Sequence, residues 1–218
     1  MSDVLTVHVW SDIACPWCTI GRVRFAKAIE LFHEQGGEQA VEIEYHSFEL
    51  SPDTPVDFDG SEADFLVGHK HIPAADSEAM LARVTEVAAE EGMSFDFARL
   101  QHTNTRTAHE LLHMAKQHGL QGALMERLQL AYFCEGRHLG RHDELADLAA
   151  EVGLDRDEVL AALAARTYAE AVDADIAAAR KYGVRALPFY LLHSRYGVSG
   201  AYPPEFYAEG LAKAAASS

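Results

Sequence analysis

Leu5, Val7 and Val9 are separated by Thr6 and His8 at the start of the chain. This period-two alternation predicts a half-buried strand. The period then lengthens. Trp17, Ile20, Gly21, Phe25, Ala28 and Phe32 recur at helical spacing, and Gly36-Gly37 ends the run. Val41, Ile43 and Tyr45 alternate with Glu42 and Glu44 as a second strand, and Ser51-Pro52-Asp53-Thr54-Pro55 reads as turns. From about residue 61 to residue 182 the pattern is helical. Its apolar stripes run through Met80–Ala88, Ala108–Ala115, Leu124–Ala131, Leu145–Val152 and Val172–Ala179, with Gly92, Gly119, Gly153 and Gly183 as stops. Asp155-Arg156-Asp157-Glu158 resembles a capping box before Val159 and Leu163. Strand character returns at Pro188–Leu192 and Tyr196–Gly200, and a last helix is expected from Pro204 to Ala215.

The order is therefore β-α-β, a block of helices, then β-β-α. The last two strands are expected to form a hairpin beside the first two. This is an α/β core interrupted by an all-helical insertion. The expected borders put residues 1–60 and 183–218 in one discontinuous domain and residues 61–182 in the insert.

Composition narrows the function classes. The 218 residues are 49% hydrophobic, enough for a sizeable core, and the formal net charge is −16. Such a chain repels nucleic acid and anionic lipid, so neither is expected as a partner. No apolar run is long enough to span a membrane. The N-terminus shows no basic segment followed by a long apolar run, so a cytoplasmic location is expected. Three cysteines are too few for a disulfide scaffold.

Two of those cysteines form Cys15-Pro16-Trp17-Cys18, set where strand turns into helix. A structural zinc site usually needs four ligands, and the remaining cysteine, Cys134, is alone in the sequence. The pairs His69/His71 and His109/His113 read as polar surface, so no metal is expected. Redox chemistry fits better. Unpaired N–H groups and the positive end of the helix dipole favour a thiolate at Cys15, and the thiolate is the nucleophile in exchange. Pro16 suits the first helical position. Cys18 is one turn on, within disulfide reach, and can resolve a mixed disulfide on Cys15. Asp12 is either a proton acceptor for Cys18 or an acidic residue solvated at the strand end. Cys15 and Trp17 are expected to be at least partly exposed, and Cys134 to be a small buried hydrophobe, with a third redox thiol as the alternative.

The segment "SDIACPWCTIG" from Ser11 to Gly21 resembles the start of the DsbA family of thioredoxin-fold oxidoreductases, with the FrnE-like dithiol–disulfide isomerase branch as the nearest likeness. Further similar stretches follow in order: "NTRTAHELLHMAKQHG" (104–119), "LQLAYFCEGRHLG" (128–140), "YGVRALPFYLL" (182–192) and "YGVSGAY" (196–202). The resemblance implies a thioredoxin-like fold carrying a helical insert. It implies Cys15 as nucleophile, Cys18 as resolving thiol and Pro188 as the cis-proline that faces them. Ala186 and Leu187 match the backbone stretch that pairs with a bound substrate chain. Asn104 and His109 match a substrate-site segment at the head of an inserted helix. Leu187 departs from the Val common before that proline. Trp17 replaces the histidine of the periplasmic oxidase, which implies a more reducing pair than in that enzyme.

The reading is a cytoplasmic thiol–disulfide oxidoreductase or isomerase acting on protein or small-molecule thiols and disulfides. It needs no cofactor beyond its own redox disulfide. Glutathione is a candidate substrate or reductant, and relatives with this insert include homodimers. The alternative is a glutathione-dependent isomerase or kappa-class-like transferase. A third reading, a non-catalytic binding module, is disfavoured by the intact cysteine pair with Pro188.

Overall fold

The structure, a computed structural model, describes residues 4–217; residues 1–3 and 218, at the ends of the expected discontinuous domain, lie outside the described residues. The first alternation becomes strand β1 (Leu5–Ser11), followed by helix α1 (Pro16–Glu34) and strand β2 (Val41–Ser47). Helices α2 (Glu62–Lys70), α3 (Ala74–Glu90), α4 (Arg106–Gln117), α5 (Gln121–Leu130), α6 (His142–Glu151), α7 (Arg156–Ala164) and α8 (Ala169–Lys181) come next. Strands β3 (Phe189–Leu192) and β4 (Tyr196–Ser199) and helix α9 (Pro204–Ala215) close the chain.

The sheet order is β2-β1-β3-β4. β1 runs parallel to β2, with Leu5 opposite Val41 and Val9 opposite Tyr45. β3 is antiparallel to both β1 and β4, with Val9 opposite Tyr190 and Trp10 opposite Phe189. Side-chain alternation then divides the core. On one face Phe25 of α1 stacks on Tyr190 at 4.8 Å, and Tyr207 of α9 meets Phe25 edge-on at 5.3 Å. On the other face Trp10, Ala179, Val184 and Leu191 form a buried cluster, with Phe48, Ala178, Leu187 and Phe189 packed against it.

The chain divides into two compact units: the described residues up to Phe48 with those from Asp175 onward, and Glu49–Ala174. These borders differ from those expected at 60/61 and 182/183, for two physical reasons. The turn-rich stretch is tied into the helical unit: Thr103 Oγ1 donates to the Val56 carbonyl at 2.7 Å and Asn104 Nδ2 to the Pro52 carbonyl at 3.0 Å. At the other end, the later turns of α8 supply Ala178 and Ala179 to the Trp10 cluster.

Side-chain caps stand at the starts of α2 and α7. Asp155 caps α7, accepting from the N–H groups of Asp157 and Glu158. A reciprocal capping box stands instead at α2, between Ser61 and Asp64. One irregularity was not expected: Ala131–Glu135 is a π-helical turn. Its wider repeat breaks the Leu124–Leu128–Ala131 stripe, so Cys134 is partly exposed rather than a buried continuation of that stripe. Among the described residues no helix is long and apolar enough to cross a membrane.

Candidate active site

β1 ends at Ser11 and α1 begins at Pro16, so the intervening residues have to turn the chain and cap a helix at once. Cys15 is the N-cap, with extended φ −91° and ψ 111°, and Pro16 takes the first helical position. The Cys15 carbonyl accepts from the N–H groups of Cys18 at 3.0 Å and Thr19 at 3.3 Å. Cys15 N–H donates to the Asp12 carbonyl at 3.1 Å, and Ala14 N–H to Asp12 Oδ1 at 3.3 Å. No acidic side chain occupies the first turn of α1, so the helix N-terminus stays electropositive around Cys15.

The two sulfurs have distinct surroundings. Burial pushes the Cys18 thiol well above its ordinary pKa, reinforced by its hydrogen bond to the Cys15 sulfur and by charge on Cys15. The Asp12 backbone amide and the Ser11 hydroxyl also bond to Cys18 and pull the other way. Cys18 is thus a protonated thiol directed at Cys15. Asp12 is buried, which removes the solvated-carboxylate alternative, and Trp17 is 37% exposed, as expected. Cys15 corrects its expectation: the residue is only 4% exposed, because the turn made by Asp12 to Ala14 folds its backbone inward.

The Leu187–Pro188 peptide bond is cis. Pro188 is buried against α1 one turn beyond Cys18: a Cβ added at Gly21 would lie 2.8 Å from Pro188 Cγ and 2.8 Å from the Tyr190 hydroxyl. Only a glycine at that position allows the approach. Burial, with the neighbouring Tyr207, Tyr45 and Cys18, holds the Tyr190 hydroxyl well above its ordinary pKa, so it stays neutral. Tyr190 pairs with Tyr207, whose hydroxyl donates to the Gly200 carbonyl at 2.5 Å and is itself pushed up to about 12. Leu187 packs its side chain into the Trp10 cluster. Ala186 is exposed, and its carbonyl accepts from Ser199 Oγ at 3.2 Å.

Ser11, which bonds to Cys18, and Gly21 and Tyr190, which meet at Pro188, were not singled out by the sequence reading as neighbours of the cysteine pair. The signal for Gly21 was its position three residues after Cys18, on the same helix face. Asn104 and His109 belong to the helical unit. Asn104 is committed to backbone there: Oδ1 accepts from Arg106 N–H at 2.9 Å, and Nδ2 donates to Pro52. His109 is buried at 1% exposure, which corrects the polar-surface reading of the His109/His113 pair: His109 lies on the inner face of α4 with Leu112.

Comparison with known proteins decides the family. The sequence matches the DSBA-like thioredoxin domain over residues 6–212. The chain belongs to that family. A probable DsbA oxidoreductase from Streptomyces coelicolor is 36% identical in sequence, superposes with a TM-score of 0.88, and is covered over 96% of this chain and 89% of its own. The uncharacterized protein YwbO of Bacillus subtilis is 31% identical over 170 residues, 75% of each chain. The cytosolic disulfide reductase DsbM of Pseudomonas aeruginosa, solved with GSH, shares the fold at 19% identity and a TM-score of 0.63, over 97% of this chain and 96% of its own. As a DSBA-like protein the chain is a thiol–disulfide oxidoreductase or isomerase, with a thioredoxin-like α/β fold and a large helical insertion.

Proposed function

We propose that this DSBA-like protein is a cytoplasmic, FrnE-like dithiol–disulfide enzyme that works through Cys15 and Cys18 on protein or small-molecule disulfides. The observation that carries the reading is the pairing of a sulfur at a helix N-cap with a protonated, buried thiol one turn behind it. In the reducing direction, the Cys15 thiolate attacks one sulfur of a substrate disulfide. A mixed disulfide forms and one substrate thiolate leaves. Cys18 then gives up its proton and attacks the Cys15 sulfur. The second substrate thiolate departs, and two electrons have passed from the dithiol to the substrate. The reverse sequence oxidises a substrate dithiol, and release before the second attack reshuffles disulfides.

The exposure of Trp17 supports an apolar platform beside this chemistry, and the exposure of Ala186 supports the Ala186–Leu187 backbone as the stretch that pairs with an extended substrate segment. Lack of a charged side chain at position 17 supports a pair more reducing than one flanked by histidine. The GSH held by the DsbM relative supports glutathione as the thiol that returns the Cys15–Cys18 disulfide to the dithiol.

Reduction of insulin with dithiothreitol or glutathione as electron donor, and reactivation of scrambled ribonuclease, test the reading. Wild-type protein is expected to accelerate both, Cys15→Ser neither, and Cys134→Ser to behave as wild type. A glutathione-dependent isomerisation of a small molecule needs one activated thiol and no dithiol cycle. Full turnover retained by Cys18→Ser would therefore move the assignment to that class.

A further inference from the structure

The α8 side of β1 and β2 carries a second group of titratable side chains. His8 stands on β1, and Glu44 and His46 on β2; the parallel register sets His8 beside Glu44 and Trp10 beside His46. Residues two apart on a strand share a face, so all four project to one side. His8 Nδ1 lies 3.0 Å from His46 Nε2. Glu44 Oε2 is 3.8 Å from His8 Nδ1, and Glu44 Oε1 is 3.6 Å from His46 Nε2. Donors around one tetrahedral zinc ion, each at 2.0–2.1 Å, are about 3.4 Å apart. The His8–His46 separation lies below that value and the two to Glu44, one for each of its carboxylate oxygens, lie above it, each by a few tenths of an ångström. The His8, His46 and Glu44 side chains are 25%, 13% and 30% exposed, so an ion can reach them from solvent.

The support behind His46 separates this group from a chance meeting of side chains. His46 Nδ1 is 2.7 Å from Asp175 Oδ1. A carboxylate only accepts, so Nδ1 carries a proton, and in the neutral ring Nε2 turns its lone pair toward His8 and Glu44. Asp175 is held in turn: its Oδ2 accepts from Ser47 N–H at 2.8 Å. Trp10 stacks on the His46 ring at 4.6 Å and 19°, and Trp10 Nε1 donates to the Asp175 backbone carbonyl at 3.2 Å. These contacts hold the ring with Nδ1 toward Asp175 and Nε2 toward His8. A carboxylate on the far nitrogen is the arrangement that orients metal-bound imidazoles and raises their basicity.

We propose that His8 Nδ1, His46 Nε2 and the Glu44 carboxylate bind a divalent first-row transition ion of the zinc type. Asp175 is the positioning carboxylate behind His46, and a water molecule fills the fourth place. Two imidazoles with one carboxylate suit zinc better than calcium or magnesium, which take oxygen donors. On binding, His8 Nδ1 presents its lone pair and its proton moves to Nε2; no electron is transferred. All three ligands stand on paired strands, which hold their spacing better than loops. β2 is an edge strand, so the ion would fasten that edge to β1. The sulfurs take no part, and the proposal stands independently of the redox reading.

The test uses the full chain in a Cys134→Ser background, oxidised so that Cys15 and Cys18 are joined and cannot capture the probe. ZnCl2 is titrated in competition with a chromophoric chelator. One equivalent per chain is expected, together with a Zn2+-dependent rise in melting temperature. His8→Ala and Glu44→Gln should abolish or sharply weaken binding, and Asp175→Asn should weaken it by about 10–100-fold. Absence of a bound equivalent in the parent protein overturns the proposal, as does unchanged affinity in His8→Ala. Imidazole 15N signals of the unmutated side chains give a readout that no folding defect can confuse. Zn2+ should move the His8 and His46 signals, and shifts confined to other histidines overturn the site.

Discussion

Cys15 and Cys18 differ by one helical turn, and that turn gives them different chemistry. Cys15 is the N-cap of α1, at the electropositive end of the helix and with no acidic side chain in the first turn. Cys18 is inside, desolvated, and donates toward Cys15. Cys134 is more accessible than either, yet burial raises its thiol too, helped by the charge of Glu135. Access favours Cys134, but its raised pKa lowers its thiolate fraction, and only the thiolate reacts. Alkylation of the reduced protein near neutral pH, followed by peptide mass spectrometry, should modify Cys15 first. The Cys18 pKa is raised, so its thiolate fraction, and with it its labelling, should grow only at pH values above the ordinary thiol range. First labelling at Cys134 would mean that access outweighs acidity.

At the scale of elements, the site depends on how closely α1 approaches the segment before β3. Gly21 provides that approach, since any Cβ there meets Pro188 and the Tyr190 hydroxyl. Neither neighbour yields easily: one is a proline ring in the chain, the other the end of a buried ring hydrogen-bonded to Tyr207. Gly21→Ala is expected to cost about 1–3 kcal/mol of stability as overpacking, and to slow thiol exchange by displacing Pro188. Thermal melts and insulin-reduction rates check both; a variant equal to wild type in both would show that the contact has slack. The sequence made these elements legible to different degrees. Period-two and helical patterns located β1, β2 and α1, and α9 by its buried stripe Tyr207, Ala208 and Leu211, while β3, buried at Tyr190, Leu191 and Leu192 in a row, shows as a short apolar run. The π-helical turn was not legible: nothing in Ala-Tyr-Phe-Cys-Glu distinguishes it from α-helix, and its position is set by tertiary packing. The meeting of His8 with His46 was equally invisible, since parallel register joins residues far apart in sequence.

At the scale of the molecule, an α/β unit carrying both cysteines and Pro188 is interrupted by a helical unit. The interruption was legible as a change of hydrophobic period and its reversal. The borders were not, because the turns after Ser51 and the length of α8 take their places from packing rather than from pattern. The α/β unit holds both sulfurs of the proposed exchange, and the central claim concerns those two alone: Cys15 attacks and Cys18 resolves. The most direct measurement is mass spectrometry of Cys18→Ser incubated with a disulfide substrate. The account predicts a mixed disulfide that accumulates on Cys15 and disappears when a thiol reductant is added. Failure to trap any adduct, or an adduct on Cys134 instead, would contradict it.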